Sequence, residues 1–176
     1  KFHNIEVEDE ATAFFEDGNG ATGSFIGSTG EAPGVNRFDI IGDQGMLSYD
    51  GDRLLHFENR PSTSEFSQNT TEMFGQPEVC ITDLSVSPPV NQHAIILQNF
   101  INAISCSESL IAPAQEGLKA LAIANAILLS AWDHEQIQMP LDSARFHKAL
   151  SERRAQSRLR ATSQAEVNID MEASFR

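Results

Sequence analysis

The stretch LKALAIANAILLSAW, from Leu118 to Trp132, decides the architecture of the second half of this chain. It is rich in Ala and Leu, which favour helix, and it contains no Gly or Pro. Its leucines recur at helical spacing, and Ile123 and Ile127 make the opposite side apolar as well. The pattern therefore predicts a helix that is buried on nearly all sides. The stretch is shorter than the ~20 apolar residues that a membrane span needs.

Strand-like segments joined by tight turns fill the first half of the chain. The predicted strands are 11–16, 21–28, 35–41, 46–49, 53–58 and 78–84, with a further short strand at 136–139. Residues 59–76 are rich in Ser, Thr and Asn, which is typical of a surface excursion. The predicted helices are 92–105, one that begins near residue 114, and 143–154, which Asp142 caps.

This order predicts an α+β fold with an open, mostly antiparallel sheet of about six strands and helices packed on one face. The other face then needs a partner, a second domain or a second subunit. We expect residues 1–155 to form this domain. We expect residues 156–176 to be a tail that is disordered or docked on a partner.

The charge of the chain limits its partners. The 176 residues carry a formal net charge of −13, which disfavours binding to nucleic acid and to an anionic membrane surface. The two cysteines form no disulfide framework or metal cluster, so we expect a reducing compartment, the cytoplasm. The chain starts at Lys1 and runs quickly into strand-like sequence, so we expect an amino-terminal part to be missing.

Two sequence patterns resemble functional motifs without their usual context. Residues 18–23 match G-x-G-x-x-G, but strand-like sequence follows, whereas a dinucleotide loop opens a helix. A hairpin turn is the better interpretation. Asp52 and His56 have the spacing of an acid–base pair, yet they lie in a strand directly after a turn. The histidines show no metal-ligand spacing, so no metal site is predicted.

Arg37 and His93 are the two candidate substrate-binding residues. Arg37 is one of few cations in an acidic region, and it could bind a hydroxyl or carboxylate ligand or form an intramolecular ion pair. His93 lies in the first turn of the 92–105 helix, where it could face a site, cap the helix or pack against it.

Several segments, in this order and spacing, resemble the carboxy-terminal domain of the glucose-fructose oxidoreductase / inositol dehydrogenase (Gfo/Idh/MocA) family. The segments are VEDEA (7–11), NGA (19–21), NRFDIIGDQGML (36–47), NFINAI (99–104), EG (116–117), AILLSAW (126–132) and MPL (139–141). The resemblance covers roughly residues 5 to 150, and it rests on the ordered set rather than on any one segment.

The resemblance implies an upstream Rossmann domain that binds NAD or NADP, followed by this α+β domain. In such proteins the open sheet supplies a wall of the substrate site and often the subunit interface. The family's catalytic lysine stands in Glu-Lys-Pro, and none of Lys1, Lys119 and Lys148 does. No catalytic residue of the family maps onto this chain.

The sequence therefore predicts the substrate-binding and oligomerisation domain of an NAD(P)-dependent oxidoreductase that acts on a sugar, inositol or related hydroxy or carbonyl compound. We expect this chain to be inactive without its Rossmann domain, and to form a homo-oligomer through the open sheet face. The alternative is a non-catalytic α+β module for assembly or ligand binding.

Overall fold

The computed structural model describes residues 6–85 and 91–158. It confirms the α+β class, with antiparallel sheets and helices. The chain divides into two compact units, which are Lys1–Gly27 with Ala114–Arg176 (unit 1) and Ser28–Pro113 (unit 2). The part of the tail beyond residue 158 lies outside the described residues.

Six strands and four helices are found in the described residues. The strands are β1 (Glu10–Glu16), β2 (Thr22–Ser28), β3 (Phe38–Gly42), β4 (Gly45–Tyr49), β5 (Leu54–Arg60) and β6 (Glu78–Asp83). The helices are α1 (Thr63–Asn69), α2 (Gln92–Cys106), α3 (Ala114–Asp133) and α4 (Ser143–Gln156).

Unit 1 contains the β1–β2 hairpin and the helices α3 and α4, which pack against each other. Trp132 at the end of α3 stacks on Phe146 of α4 with ring centroids 5.7 Å apart, and the Arg153 guanidinium lies 4.4 Å from the Trp132 ring centroid. The indole N–H of Trp132 donates to the Glu8 carboxylate at 2.9 Å. Asp142 caps α4 as predicted, by accepting from the backbone N–H groups of residues 144 and 145.

Unit 2 contains the antiparallel sheet β3-β4-β5-β6, in which each strand pairs with the next one along the chain. The two-residue turn 43–44 closes the β3–β4 hairpin, so that Gly42 pairs with Gly45. Register then continues without a bulge through β5 to β6. The first three strands thus form a meander.

Two predictions about the strands are corrected. The six strands form two sheets, of two and four strands, rather than one sheet of six. Residues 136–139 form no strand, because no neighbouring strand pairs with them in the described residues. The 59–76 excursion contains the short helix α1, which the sequence pattern did not predict.

The prediction that Leu118–Trp132 is buried on nearly all sides is wrong. Leu129 is fully buried, whereas Leu118 is 64% exposed and Leu121 is 55% exposed. Apolar residues on the α2 stripe are exposed too, with Ile104 at 73%. An apolar stripe shows which side chains of a helix could be buried, but they become buried only where another surface covers them.

Candidate functional site

The four-stranded sheet of unit 2 presents two faces, each of which carries both apolar and polar side chains. Side chains alternate between faces along each strand, so the pairing register assigns every sheet residue to one side. The His56 face consists of Phe38, Ile40, Gly42, Gly45, Leu47, Tyr49, Leu54, His56, Glu58, Arg60, Glu78, Cys80 and Thr82. The Ile41 face consists of Asp39, Ile41, Met46, Ser48, Leu55, Phe57, Asn59, Val79, Ile81 and Asp83.

Polar and titratable side chains form a ladder along β5 and β6 on the His56 face. His56 lies opposite Thr82, and Glu58 lies opposite Cys80. Arg60 forms an ion pair with Glu58 two residues before it. The hydrogen bond from the Arg60 guanidinium to the Glu58 carboxylate is the main cause that lowers the pKa of Glu58, and the charges of Arg60 and His56 add to it. The same hydrogen bond raises the pKa of Arg60.

A shallow hollow of about 290 Å³ lies beside this ladder at the β3–β4 turn. Ile40, Leu47 and His56 are among its walls, with Asp43 and Gln44 at the turn. The hollow exists because Gly42 and Gly45, which face each other across the hairpin, carry no side chains.

Gly45 is required by the backbone. Its φ is +137°, and a Cβ added to it would lie 1.8 Å from the Phe57 carbonyl oxygen. A Cβ at Gly42 would meet nothing within 4 Å. A larger residue therefore cannot replace Gly45 without a clash with the backbone, whereas the space beside Gly42 has room for a side chain.

The Ile41 face is mostly apolar. A second hollow of about 280 Å³ is lined by Ile41, Met46, Phe57 and Val79, with Asn59 near its edge. The acidic groups of this face, Asp39 and Asp83, lie towards one end of the strands. Ile41 is 77% exposed and Ile81 is 60% exposed, so this face offers an apolar surface for contact.

Arg37 precedes β3, and its guanidinium donates to the Asp39 carboxylate at 2.8 Å. Asp39 also accepts from the Ser48 hydroxyl at 2.6 Å. The Ser48 hydrogen bond is the largest cause that lowers the pKa of Asp39, and the bond from Arg37 adds to it. Arg37 thus makes the intramolecular ion pair that the sequence allowed, and a substrate contact for it stays a prediction.

His93 lies in the first turn of α2, as expected, and is exposed. Asn91 provides the cap of that helix through its side-chain oxygen, which accepts from the backbone N–H of Ala94. The alternative in which His93 itself caps the helix therefore loses its main support. A role for His93 in substrate binding stays a prediction.

Of the two motif-like patterns, only the first lies where the sequence context indicated. Residues 18–23 belong to the β1–β2 hairpin, where Gly20 has φ +90° and its N–H donates to the Asp17 carbonyl. Asp52 lies in the bend before β5, where its backbone N–H donates to the Asp50 side chain, whereas His56 lies within β5. The prediction that Asp52 also lies in the strand is therefore wrong.

Sequence reasoning did not single out Glu58, Arg60 and Cys80 as a group. The alternation of His56, Glu58 and Arg60 along one strand was the available signal. Their juxtaposition with β6 depends on a register that begins after the 17-residue connection 61–77, which sequence alone does not set.

Comparisons with known proteins add no assignment. No protein-family model matches the chain, and no curated protein matches it. No group of three or more His, Cys, Asp or Glu side chains in the described residues could hold a metal ion. Of the helices within residues 6–85 and 91–158, none combines the length and apolarity that crossing a bilayer requires.

Proposed function

We propose that this chain is the substrate-binding and oligomerisation domain of an NAD(P)-dependent oxidoreductase of the Gfo/Idh/MocA type. The substrate would be a sugar, an inositol or a related hydroxy or carbonyl compound. The observation that supports this proposal is the four-stranded antiparallel sheet of unit 2, both faces of which carry exposed apolar side chains and a shallow hollow. The segment 36–47, which resembles the family, forms the β3–β4 hairpin at the centre of that arrangement.

The proposal divides the work between two domains. A Rossmann domain upstream would hold NAD or NADP, which supplies or accepts the hydride, and would carry the catalytic lysine. The described residues of this chain would provide the substrate-binding and oligomerisation surfaces. Their G-x-G-x-x-G sequence forms a hairpin instead of opening a helix, so it offers no row of amides to a pyrophosphate.

Each sheet face has its own part in the proposal. The Ile41 face suits contact with a second copy of the chain, since its centre is apolar and its charged groups lie at one end. The His56 face suits substrate, because its donors and acceptors lie beside a hollow. The expected partners are thus the chain's own Rossmann domain, a second subunit and a small molecule. The expected compartment is the cytoplasm.

Nucleotide binding tests the division between domains. Titration of the 176-residue chain with NADH and with NADPH, followed by nucleotide fluorescence, should show no micromolar binding. A longer chain that includes the upstream coding sequence should bind one of them and oxidise or reduce a sugar or inositol. Micromolar binding by the 176-residue chain, or an inactive longer chain, would contradict the proposal.

A non-catalytic assembly or ligand-binding module is the second candidate. The exposed apolar side chains of the Ile41 face, which suit assembly with or without catalysis, favour it. The upstream coding sequence discriminates between the two candidates. A Rossmann loop and a Glu-Lys-Pro within about 200 residues, the size of one domain with a linker, favour the enzyme. If both motifs are missing from that region, the assembly module is the better assignment.

A further inference from the structure

We propose that residues 6–8 form a strap that holds α4 against α3 through Trp132, and that displacement of this strap loosens α4. The strap precedes β1, which begins at Glu10. Its contacts lie within unit 1. Only the source of the displacement depends on the proposed function, whose upstream domain would move the strap.

Two carboxylates of the strap bind near the ends of two different helices. Glu8 accepts from the indole N–H of Trp132, in the last turn of α3, at 2.9 Å. Glu6 accepts from the Ser157 hydroxyl at 2.5 Å and from the backbone N–H of Arg158 at 3.2 Å, just beyond the end of α4. These partners lie 124 to 152 residues away in sequence, so the strap joins the amino-terminal and carboxy-terminal parts of unit 1.

Trp132 is the point at which the strap meets both helices. Glu8 binds its N–H edge, while two side chains of α4 contact its rings. Phe146 stacks on the indole with ring centroids 5.7 Å apart, and the Arg153 guanidinium lies 4.4 Å from the ring centroid. An anion that accepts from the indole N–H makes the ring more electron-rich, which strengthens its attraction for the Arg153 cation. The strap and α4 are therefore coupled through one side chain.

The strap is held by polar contacts, so it can be released without unfolding unit 1. Glu6 and Glu8 are exposed, and Val7 between them is 63% exposed. The segment therefore buries little apolar surface and depends on charge-assisted hydrogen bonds. Hydrogen bonds at exposed positions open at a lower free-energy cost than a buried core. A pull on the chain before Glu6 would break these three bonds and leave the β1–β2 pairing intact.

The chain has one tryptophan, so its fluorescence reports the state of the strap. Glu8→Ala in the 176-residue chain should move the Trp132 emission maximum and increase quenching by acrylamide, because the indole loses its acceptor. Amide hydrogen exchange in residues 146–156 should become about tenfold faster, as expected for loss of one charged hydrogen bond. Glu8→Gln should give a smaller change, since its amide oxygen still accepts but carries no charge.

Glu10→Ala is the matched control, because it removes an exposed carboxylate two residues further along, at the start of β1. It should leave both readouts unchanged, and thermal melts should show that each variant is folded. If Glu8→Ala fails to fold, Glu8→Gln decides the question by the same two readouts. Unchanged exchange in residues 146–156 after substitution of Glu8, or an equal change in Glu10→Ala, would overturn the inference.

A longer chain that includes the upstream coding sequence tests the source of the displacement. Saturating NADH or NADPH should change hydrogen exchange in residues 146–156, and Glu8→Ala should abolish that response. A longer chain that binds nucleotide without this response would overturn the coupling and leave the oxidoreductase standing. A longer chain that binds no nucleotide would contradict the proposed function, whereas the strap would still be judged by the 176-residue chain.

Discussion

Asn99 is the buried polar side chain of α2, 5% exposed. Its amide nitrogen donates to Glu108 and to the Ser109 carbonyl, and its oxygen accepts from the backbone N–H of Ile111. Asn99→Ala should lower the free energy of unfolding by about 2–3 kcal/mol, because it removes the three hydrogen bonds that the buried amide makes to the loop after α2. Urea unfolding followed by circular dichroism measures this change.

Asn102 provides the comparison at the same scale. Its amide nitrogen donates to the other oxygen of Glu108 and its oxygen accepts from the exposed Gln98 side chain, and Asn102 is half-buried whereas Asn99 is buried. Asn102→Ala should therefore cost about 1 kcal/mol or less. Equal losses for the two variants would mean that Asn99 does not hold the loop after α2 in the way its hydrogen bonds indicate.

The β3–β4 hairpin depends on a glycine at one end and tolerates substitution at the other. Gly45→Ala should lower the free energy of unfolding by more than about 2 kcal/mol, since its Cβ would clash with the Phe57 carbonyl oxygen at a positive φ. Gly42→Ala, directly across the hairpin, should be neutral or stabilising, because open space surrounds it. Thermal melts of the pair measure the difference, and similar melting temperatures would contradict it.

Helix and strand positions were largely predictable because alternation, tight turns and caps are local signals. The observed bounds of β6 and α2 differ by one residue at most from those expected. The helix α1 was missed although Ser62 gives a local signal by accepting from the backbone N–H of Glu65, and part of its support is not local. Its residue Ser64 donates from both backbone and hydroxyl to Asp43, which lies in a turn 21 residues earlier. No window of sequence around 63–69 contains that carboxylate.

The candidate site was less predictable than the elements, because it depends on pairing. The sequence predicted Arg37 and His93 as substrate-binding residues because one is a cation in an acidic region and the other lies near a helix amino terminus. The ladder of His56, Glu58 and Arg60 becomes a cluster only when β6 supplies its partners and two glycines leave a hollow. Those relations are set by register, which the sequence of one strand does not contain.

At the scale of the whole molecule, unit 2 should be sensitive to acid. Six of its carboxyl groups have a lowered pKa. They are Asp39, Asp43, Asp50, Glu58, Asp83 and Glu108. Hydrogen bonds to the charged form are the main cause in each case.

A depressed folded-state pKa contributes stability that is present above the unfolded pKa and is lost as pH falls through the folded value. The melting temperature should therefore be constant from about pH 7 to pH 5 and should fall once pH drops below the ordinary values of 4.5 for Glu and 3.8 for Asp. Hydrogen exchange should show that β3 to β6 lose protection over the same pH range. Glu108→Gln should reduce the fall in melting temperature between about pH 5 and pH 3, because it removes one of these carboxyl groups. A melting temperature unchanged down to pH 3 would contradict this account.

Association is the last consequence of the two-faced sheet. The Ile41 face carries exposed Ile41 and Ile81, and a stable dimer buries about 800 Å² on each partner. We expect light scattering to show a dimer at micromolar concentration. Ile41→Asp should give a monomer, because it places a charge in an apolar contact. Phe74→Asp, at a side chain that is 90% exposed and outside the sheet, should leave the dimer intact. A monomeric wild-type chain, or dissociation by both substitutions alike, would argue against this face as the interface.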